Sequence, residues 1–577
     1  MSSAYRRFAS VVFCLLVVLA MPAIAQVPLA QHVILIVNEN TSYSTVIGPP
    51  PGAPWLVSEG AVFGHAANYY SNVAGSLLDY LWLASGSSES AFGCNGNDCS
   101  SPITDDNIFR LMNNQSISWK VYAQSYLNAG GTVTAPDSAR GTHYYRRHNG
   151  AVWYSDILSN TLGSQGAVVD FEQFLIDAAA GTLPRFAIIL PDGNYDAHDG
   201  TLAAADAFLQ NNLATLLTTT DFKSGGTGLI LVSFDNGNGD AQGQVYTALV
   251  GPNLKPAETS YLYYQHQNAL RTVLDSLGIT TYPGQASGAA DMSDFFKSGV
   301  GSVVINAPAN HSIQGTTVPV NAAASELSSK IDHIEVWDNG AKLANVLNPT
   351  VNQSFKLSAG SHTMTVQDIG PAPTYAILHK QVVTFTVSSS NGVFITSPAS
   401  NSTQASLFPV NAYAVEAGGN VDHLEVWADG SKLGDSPKGA SISQWLNSPS
   451  TGTHQLTVED VSSSNAVLHQ TTIPVTISSA NNVYVNSPVK GTHKGPSVLV
   501  NAYAYEQTNS SQQVDHMEVW DNGKKLGNSP VGYGVTSLFI NQNFTLATGS
   551  HQLSVEDIGP APNYPILHTA TVSLTVQ

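Results

Sequence analysis

Nine residues of the second half of the chain occur three times. Asp332–Gly340 reads DHIEVWDNG, Asp422–Gly430 reads DHLEVWADG and Asp515–Gly523 reads DHMEVWDNG, with tryptophans 90 and 93 residues apart. A second block comes after each, at Gly360-Ser361-His362, Gly452-Thr453-His454 and Gly549-Ser550-His551. Each runs into an alternating segment that ends in Asp368, Asp460 or Asp557, and each unit closes on a Leu-His pair at His379, His469 or His568. A period this long requires one supersecondary unit built three times. Alternating apolar and polar residues, with Asn-Gly and Asp-Gly between them, predict antiparallel strands joined by tight turns. Units near 90 residues with one tryptophan midway fit a seven-stranded sandwich, each with its own core.

The recurring patterns E-V-W-x-D-G and G-x-H-x-L-x-V-x-x-D resemble those of bacterial Ig-like domains. The resemblance implies three all-β Ig-like sandwiches, at residues 303–388, 393–478 and 483–577, and a surface polymer or glycan as the partner that such modules hold. Nine histidines recur at equal positions. They could be metal ligands, one set per unit. The other reading makes each a structural residue that caps a loop or bonds a backbone carbonyl. The units carry no cysteine partners and no evident cluster of carboxylates, which favours the structural reading.

Before residue 300 the pattern changes. His32–Val37, Phe186–Leu190 and Gly228–Phe234 are near-continuous apolar runs, as expected of strands buried on both faces. Between them lie helical patterns at Asp170–Ala180, Leu202–Leu217 and Gln265–Leu277. Strands alternating with helices predict an α/β domain with a mostly parallel sheet, over residues 26–298. Ligands of such sheets bind beyond the carboxyl ends of the strands. Phe296–Ser302 reads as a linker.

The first 25 residues read as a signal peptide: Arg6 and Arg7, an apolar run from Val11 to Ala20 too short to span a bilayer, and Ala23-Ile24-Ala25 as the cleavage site. The expectation is therefore a secreted, periplasmic or cell-surface protein with no transmembrane segment. In an oxidising compartment Cys94 and Cys99 are expected to pair, since two thiols alone do not complete a tetrahedral metal shell. A net charge of −19 argues against nucleic acid as a partner, because a polyanion would be repelled.

The strand ends carry the candidate chemistry. Glu39 and Asn40 follow the first strand, and their oxygens suit a hard divalent cation. Ser76 opens a helical run, where it is either an N-cap or, beside a metal, a nucleophile. Asp196, His198 and Asp199 follow the strand at Phe186, Asp235 and Asn236 follow the strand at Gly228, and His266 opens the last helix. Convergence of these residue types at successive strand ends is the arrangement that metal-assisted phosphoryl transfer needs.

Residues from about His32 to Phe296 resemble the phosphoesterase family of bacterial acid phosphatases and phospholipases C, in the alkaline-phosphatase superfamily. The resemblance rests on Asn38–Tyr43 (NENTSY), Ser76–Leu81, Asp105–Ile108, Trp119–Ala123, Tyr145–Asn149, Asp196–Gly200 (DAHDG), and His266 through Leu270-Arg271-Thr272 to Leu277-Gly278. It implies one divalent metal held by Glu39, Asn40, Ser76 and Asp235, with Asn236 beside it. It also implies Ser76 as the nucleophile that becomes a phosphoserine, and His198 and His266 as contacts to phosphate oxygens or the leaving group. Asp79, His148, Asn149, Asp196 and Asp199 would line the substrate pocket. Asn236 stands where the family has Glu, Asp79 where it has Asn, and Asp240–Gln244 lacks the family's Gly-rich segment. Either Asp79 reaches the metal in place of the missing Glu, or the site is degenerate. The implied function is hydrolysis of phosphomonoesters or phosphodiesters; the alternative is a non-catalytic extracellular binding protein that keeps the hydrolase fold.

Overall fold

The computed structural model describes residues 27–159, 166–326, 330–416, 421–436, 439–448, 450–493, 495–506, 514–529, 537–560 and 562–577. The expected signal peptide, with Arg6, Arg7 and Ala25, lies outside the described residues.

The N-terminal domain is built on an eight-stranded sheet. Its strands are β1 (Val33–Asn38), β2 (Gly64–Tyr70), β3 (Trp119–Ala123), β4 (Gly166–Asp170), β5 (Phe186–Leu190), β6 (Leu229–Phe234), β7 (Gln244–Val250) and β8 (Glu258–Ser260), in the order β4-β3-β5-β1-β6-β7-β2-β8. β1 lies between β5 and β6, parallel to both, with Val33 level with Phe186 and Leu229. Every residue of β1 and β6 is buried, which accounts for their unbroken apolar runs. Only β7 runs against the rest, pairing antiparallel with β6 and β2. The other seven strands therefore end on one edge of the sheet.

The helices of this domain include α1 (Ser76–Ser85), α2 (Glu172–Ala180), α3 (Leu202–Leu213) and α4 (His266–Leu277). The helix predicted over Asp170–Ala180 begins two residues late. Asp170 instead ends the edge strand β4, level with Ala123 of β3, and its carboxylate accepts the Leu127 amide at 2.6 Å.

Each repeat is a sandwich of a three-stranded and a five-stranded sheet, with the same strand order in all three. In the first, Ser302–Ala307, Thr317–Ser325 and Thr350–Lys356 make the small sheet. Ile313–Gln314, His333–Asp338, Ala341–Val346, Gly360–Ile369 and Ile377–Val387 make the large one. The expected seven strands are thus eight, because the first divides and its second piece crosses to the other sheet. The tryptophans do not fill the cores. Ile334 and Val336 do that, while Trp337 faces the other way and donates Nε1–H to Glu335 at 2.9 Å. Period-2 alternation forces this outcome once Val336 points inward.

The joint at Phe296–Ser302 is docked at both ends, with Phe296 and Ser302 buried. Gln31 exchanges hydrogen bonds with the backbone of Ile305, each at 3.1 Å. The buried Arg185 donates to the Ala30 and Leu277 carbonyls and to Asn306. On the other side of the domain, Ile176 of α2 packs into the core formed by the second and third repeats, and Gln173 donates to Ser443 at 2.8 Å. Among the described residues no helix is long and apolar enough to cross a membrane.

Candidate active site

The carboxyl edge of the sheet gathers a buried acidic cluster. Glu39 leaves β1 fully buried, and its amide donates to the Asp196 carbonyl at 2.7 Å, tying the ends of β1 and β5 together. The chain then turns through Asn40 at φ +40°, a left-handed conformation that asparagine tolerates better than most residues. That turn aims the Asn40 amide at Asp235 Oδ1, 2.9 Å away at the end of β6.

Glu39 receives two hydroxyls from α1. Ser76 donates to Oε2 at 2.8 Å, and Tyr80, one turn later, donates to Oε1 at 2.7 Å. Ser76 is therefore not an N-cap: Gly75 holds that position, and the serine hydroxyl points into the site. Gly75 sits at φ +104°, and a Cβ there would lie 2.7 Å from the Gly96 Cα. Gly96 belongs to the loop closed by the Cys94–Cys99 disulfide, and its carbonyl accepts the Leu77 amide at 3.3 Å. The disulfide loop thus braces the first turn of the helix that presents Ser76.

His148 and Asp196 complete the cluster. His148 Nδ1 lies 3.2 Å from Asp196 Oδ2 and 3.5 Å from Glu39 Oε1. Glu39, His148 and Asp196 each offer a ligand atom within 4.8 Å of the others. Burial, then Asp235 and Asp196, hold the Glu39 carboxyl well above its usual range. Burial raises Asp196 likewise, and pushes Asp235 up to about 6 and, with the charge of Asp235, Asp79 up to about 9. Among the described residues no lysine or arginine ion-pairs with any of these four carboxylates. Buried carboxylates left uncompensated are costly, and a divalent cation is the compensation that this oxygen-rich set with one imidazole fits. Asp79 Oδ2 and His148 Nε2 are buried with no hydrogen-bond partner, which leaves donor capacity spare for such a group.

Several expected site residues stand at the cluster but with partners of their own. His266 is fully buried with both ring nitrogens engaged: Nε2 lies 2.7 Å from the Asp235 carbonyl and Nδ1 3.0 Å from the Tyr69 hydroxyl. Burial lowers it to about 4, which favours the neutral ring, and it props the Asp235 backbone. Asp196, expected to touch substrate, is a buried member of the acidic cluster, where it would repel a phosphate. Asp199 faces the rim, where it holds His143, Tyr145 and His198, and these three partners outweigh desolvation and lower its pKa. His198 stands beside His148, with ring centroids 5.2 Å apart, and is a quarter exposed.

Asn236 directs its amide N–H to Asp235 Oδ2 and its oxygen accepts the Gly239 amide, so it braces Asp235 and the turn that follows. Asp79 Oδ1 accepts the amides of Asn72 and Val73 at 3.0 and 3.2 Å, fixing the loop before Ser76. Asn149 is buried behind the site, donating to the Tyr144 hydroxyl at 3.4 Å. Two residues were not anticipated. Tyr80 was visible as the residue one turn after Ser76. Arg147, whose guanidinium lies 3.3 Å from His198 Nε2, stood inside a motif already noted at Tyr145–Asn149.

Residues 53–280 match the model of the Phosphoesterase family, and residues 302–366 and 392–458 match that of the Bacterial Ig domain. The third repeat falls outside those ranges but has the same strand order. The chain is similar to a phosphatidylinositol-3-phosphatase of Mycobacterium tuberculosis, 25% identical over 48% of this chain and 85% of that one. It is also similar to a probable acid phosphatase of Kluyveromyces lactis, 26% identical over 41% of this chain. Of that second relative it spans 56% of the length. A solved protein of the alkaline phosphatase superfamily from Vibrio parahaemolyticus is 9% identical over 62% of this chain and 83% of that one, with a TM-score of 0.32.

Proposed function

We propose that the N-terminal domain is a metal-dependent phosphoesterase acting on phosphomonoesters through a phosphoserine at Ser76, in an exported protein. One observation carries this reading: the Ser76 hydroxyl is held 2.8 Å from a buried carboxylate, Glu39, inside the acidic cluster at the carboxyl edge. The phosphatases among its relatives and the family match of residues 53–280 support it.

Glu39, Asp196, Asp235 and His148 are the residues that would hold a divalent cation. Bound there, the cation acidifies the serine hydroxyl and neutralises phosphoryl oxygens. Ser76 attacks phosphorus, and Glu39, already its hydrogen-bond acceptor, receives the proton as the ester P–O bond breaks. Arg147 at the rim, steadied by His198, is the positive group that would meet substrate oxygens, and the departing alkoxide takes its proton from solvent. Water then attacks the phosphoserine, inorganic phosphate leaves, and the oxygen of Ser76 regains its proton.

The test is turnover of p-nitrophenyl phosphate and bis(p-nitrophenyl) phosphate by wild type and Ser76→Ala, with a search for acid-stable phosphoserine. Expected are monoester turnover and a trapped phosphoserine in wild type and neither in the variant. Near-normal turnover by Ser76→Ala overturns the nucleophile. The non-catalytic reading draws on Asn236, which is spent on structure, and on Asp79; it requires the wild type to turn over neither ester under any divalent metal.

A further inference from the structure

Each repeat contains a second kind of acidic cluster, built from residues that the sequence patterns keep far apart. Glu326, Asp368 and His379 meet in the first repeat, Glu416, Asp460 and His469 in the second, and Glu506, Asp557 and His568 in the third. In each trio one ligand atom per residue lies within 4.8 Å of the other two. The glutamate closes the motif N-A-x-A-x-E at the end of a small-sheet strand, as in Asn321–Glu326. The aspartate and histidine face each other on adjacent strands of the large sheet, where the register shifts directly after the aspartate in all three repeats. The trio therefore joins the two sheets of one sandwich, beside the point where the chain enters the module. Asn391 and Asn481, just before the first strands of the second and third repeats, donate to Glu416 and Glu506.

The expectation of purely structural histidines holds for a different set. His362, His454 and His551 each bridge an aspartate and a backbone carbonyl four residues before them. His379, His469 and His568 instead stand against two carboxylates, the clustering that the sequence had not revealed. In each aspartate one oxygen accepts the backbone N–H of the facing histidine, which turns the other oxygen toward the trio. That second oxygen is buried and without a hydrogen bond in Asp368 and Asp460, both 0% exposed. In the second repeat that oxygen faces the pair made by His469 Nδ1 and Glu416 Oε1, and in the first it faces the pair made by His379 Nδ1 and Glu326 Oε1. In the third, Glu506 is 0% exposed and its Oε1 faces His568 Nδ1. His568 Nδ1 there lies 3.0 Å from Glu506 and 3.1 Å from Asp557.

Two carboxylates converging on one imidazole inside a protein, with Asp368 Oδ2 and Asp460 Oδ2 left without a hydrogen bond, are costly unless a further positive charge sits between them. We infer that each Ig-like repeat binds one divalent first-row transition-metal cation through its Glu–Asp–His trio. An imidazole with two carboxylates favours such an ion over calcium or magnesium, which take oxygen ligands alone. The histidine side chains are 39%, 41% and 26% exposed, so the ion can enter from solvent past the ring. Bound there, it cross-links the two sheets at the mouth of each module.

The experiment uses the full chain, stripped with chelator, desalted and titrated with zinc chloride against a chromophoric competitor. Wild type should take up three more equivalents than the triple variant His379→Gln, His469→Gln, His568→Gln, and each single variant one fewer than wild type. Glu39→Gln should remove uptake by the N-terminal domain and leave these three, so failure of the repeats and failure of the phosphoesterase reading are distinguishable. Equal uptake by wild type and the triple variant overturns the inference; a single variant with unchanged uptake overturns it for that repeat. If the histidine variants do not fold, as judged by circular dichroism, Asp368→Asn, Asp460→Asn and Asp557→Asn serve. These keep an acceptor for the histidine amide and remove the ligand charge.

Discussion

Asp79 shows how one buried carboxyl can set the pH dependence of a fold. Burial and Asp235 push its carboxyl up to about 9, whereas in the unfolded chain it titrates near the ordinary ~3.9. A carboxyl raised by folding contributes its full stability below the unfolded value and loses that contribution as pH climbs through the folded value. The metal-free domain should therefore weaken from about pH 4 towards pH 9, and Asp79→Asn should abolish that part of the slope. In thermal unfolding of chelator-stripped protein, the variant should exceed wild type by more at pH 8 than at pH 5; an equal margin at both would refute this. Glu39→Gln should cost at least 100-fold in turnover, the lower end of what a general base contributes, and lower the metal content of the domain. Unchanged activity would remove Glu39 from the site. Glu39, Ser76 and Asp235 were legible because each stands directly beyond a strand or at a helix start. His266 and Asp199 were legible only as positions, because sequence places a residue near an edge and says nothing of which way its ring or carboxylate points.

At the level of elements, the strand runs were legible almost to the residue, since β1, β5 and β6 are buried on both faces along nearly their whole length and are apolar over most of it. Alternation was less decisive in the repeats, where it fixes that Val336 and Trp337 face opposite ways but not which of them is inside. The approach of Gly75 to Gly96 was invisible, being a contact between two residues without side chains. Gly75→Ala should cost about 1–3 kcal/mol of local strain at its positive φ and shift α1 against the disulfide loop. Its turnover should fall well below wild type while far-UV circular dichroism is retained. Wild-type kcat in this variant would show that the first turn of α1 need not be held so tightly. α3 offers a separate check. Its Asp206 caps the neighbouring helix at Pro54–Val62 by accepting the amides of Trp55 and Leu56, each at 2.9 Å. Asp206→Ala should therefore destabilise the domain by about 0.5–2 kcal/mol without changing metal content.

Across the whole molecule, the threefold repeat predicted modular folding, and the packing qualifies it. The core of the first repeat consists of its own residues, Val318, Val320, Ile334, Val336, Met364 and Val366 among them. The core of the second takes in Ile176 from α2 and Tyr503 and Phe539 from the third. Residues 302–388 expressed alone should unfold cooperatively in urea, whereas 392–478 alone should be markedly less stable. Equal stability of the two would show that the shared contacts contribute little. No periodicity could have announced Ile176, because its partner surface lies more than 200 residues away.

The attachment of the first repeat has a mechanical consequence. Gln31 and Arg185, which grip Ile305 and Asn306, stand just before β1 and β5, at the amino edge of the sheet. Glu39, Asp196 and Asp235 stand at the carboxyl edge, beyond a strand of six residues, or about 20 Å away. A pull transmitted through the first repeat therefore enters the domain at the far end of its stiffest strand. It would load β1 and β5 lengthwise, against the shear of two parallel ladders, and reach Ser76 only after those ladders had slipped. The contacts of the second and third repeats with Ile176 and Gln173 of α2 would take up part of the same load, so the domain is held at two places rather than one.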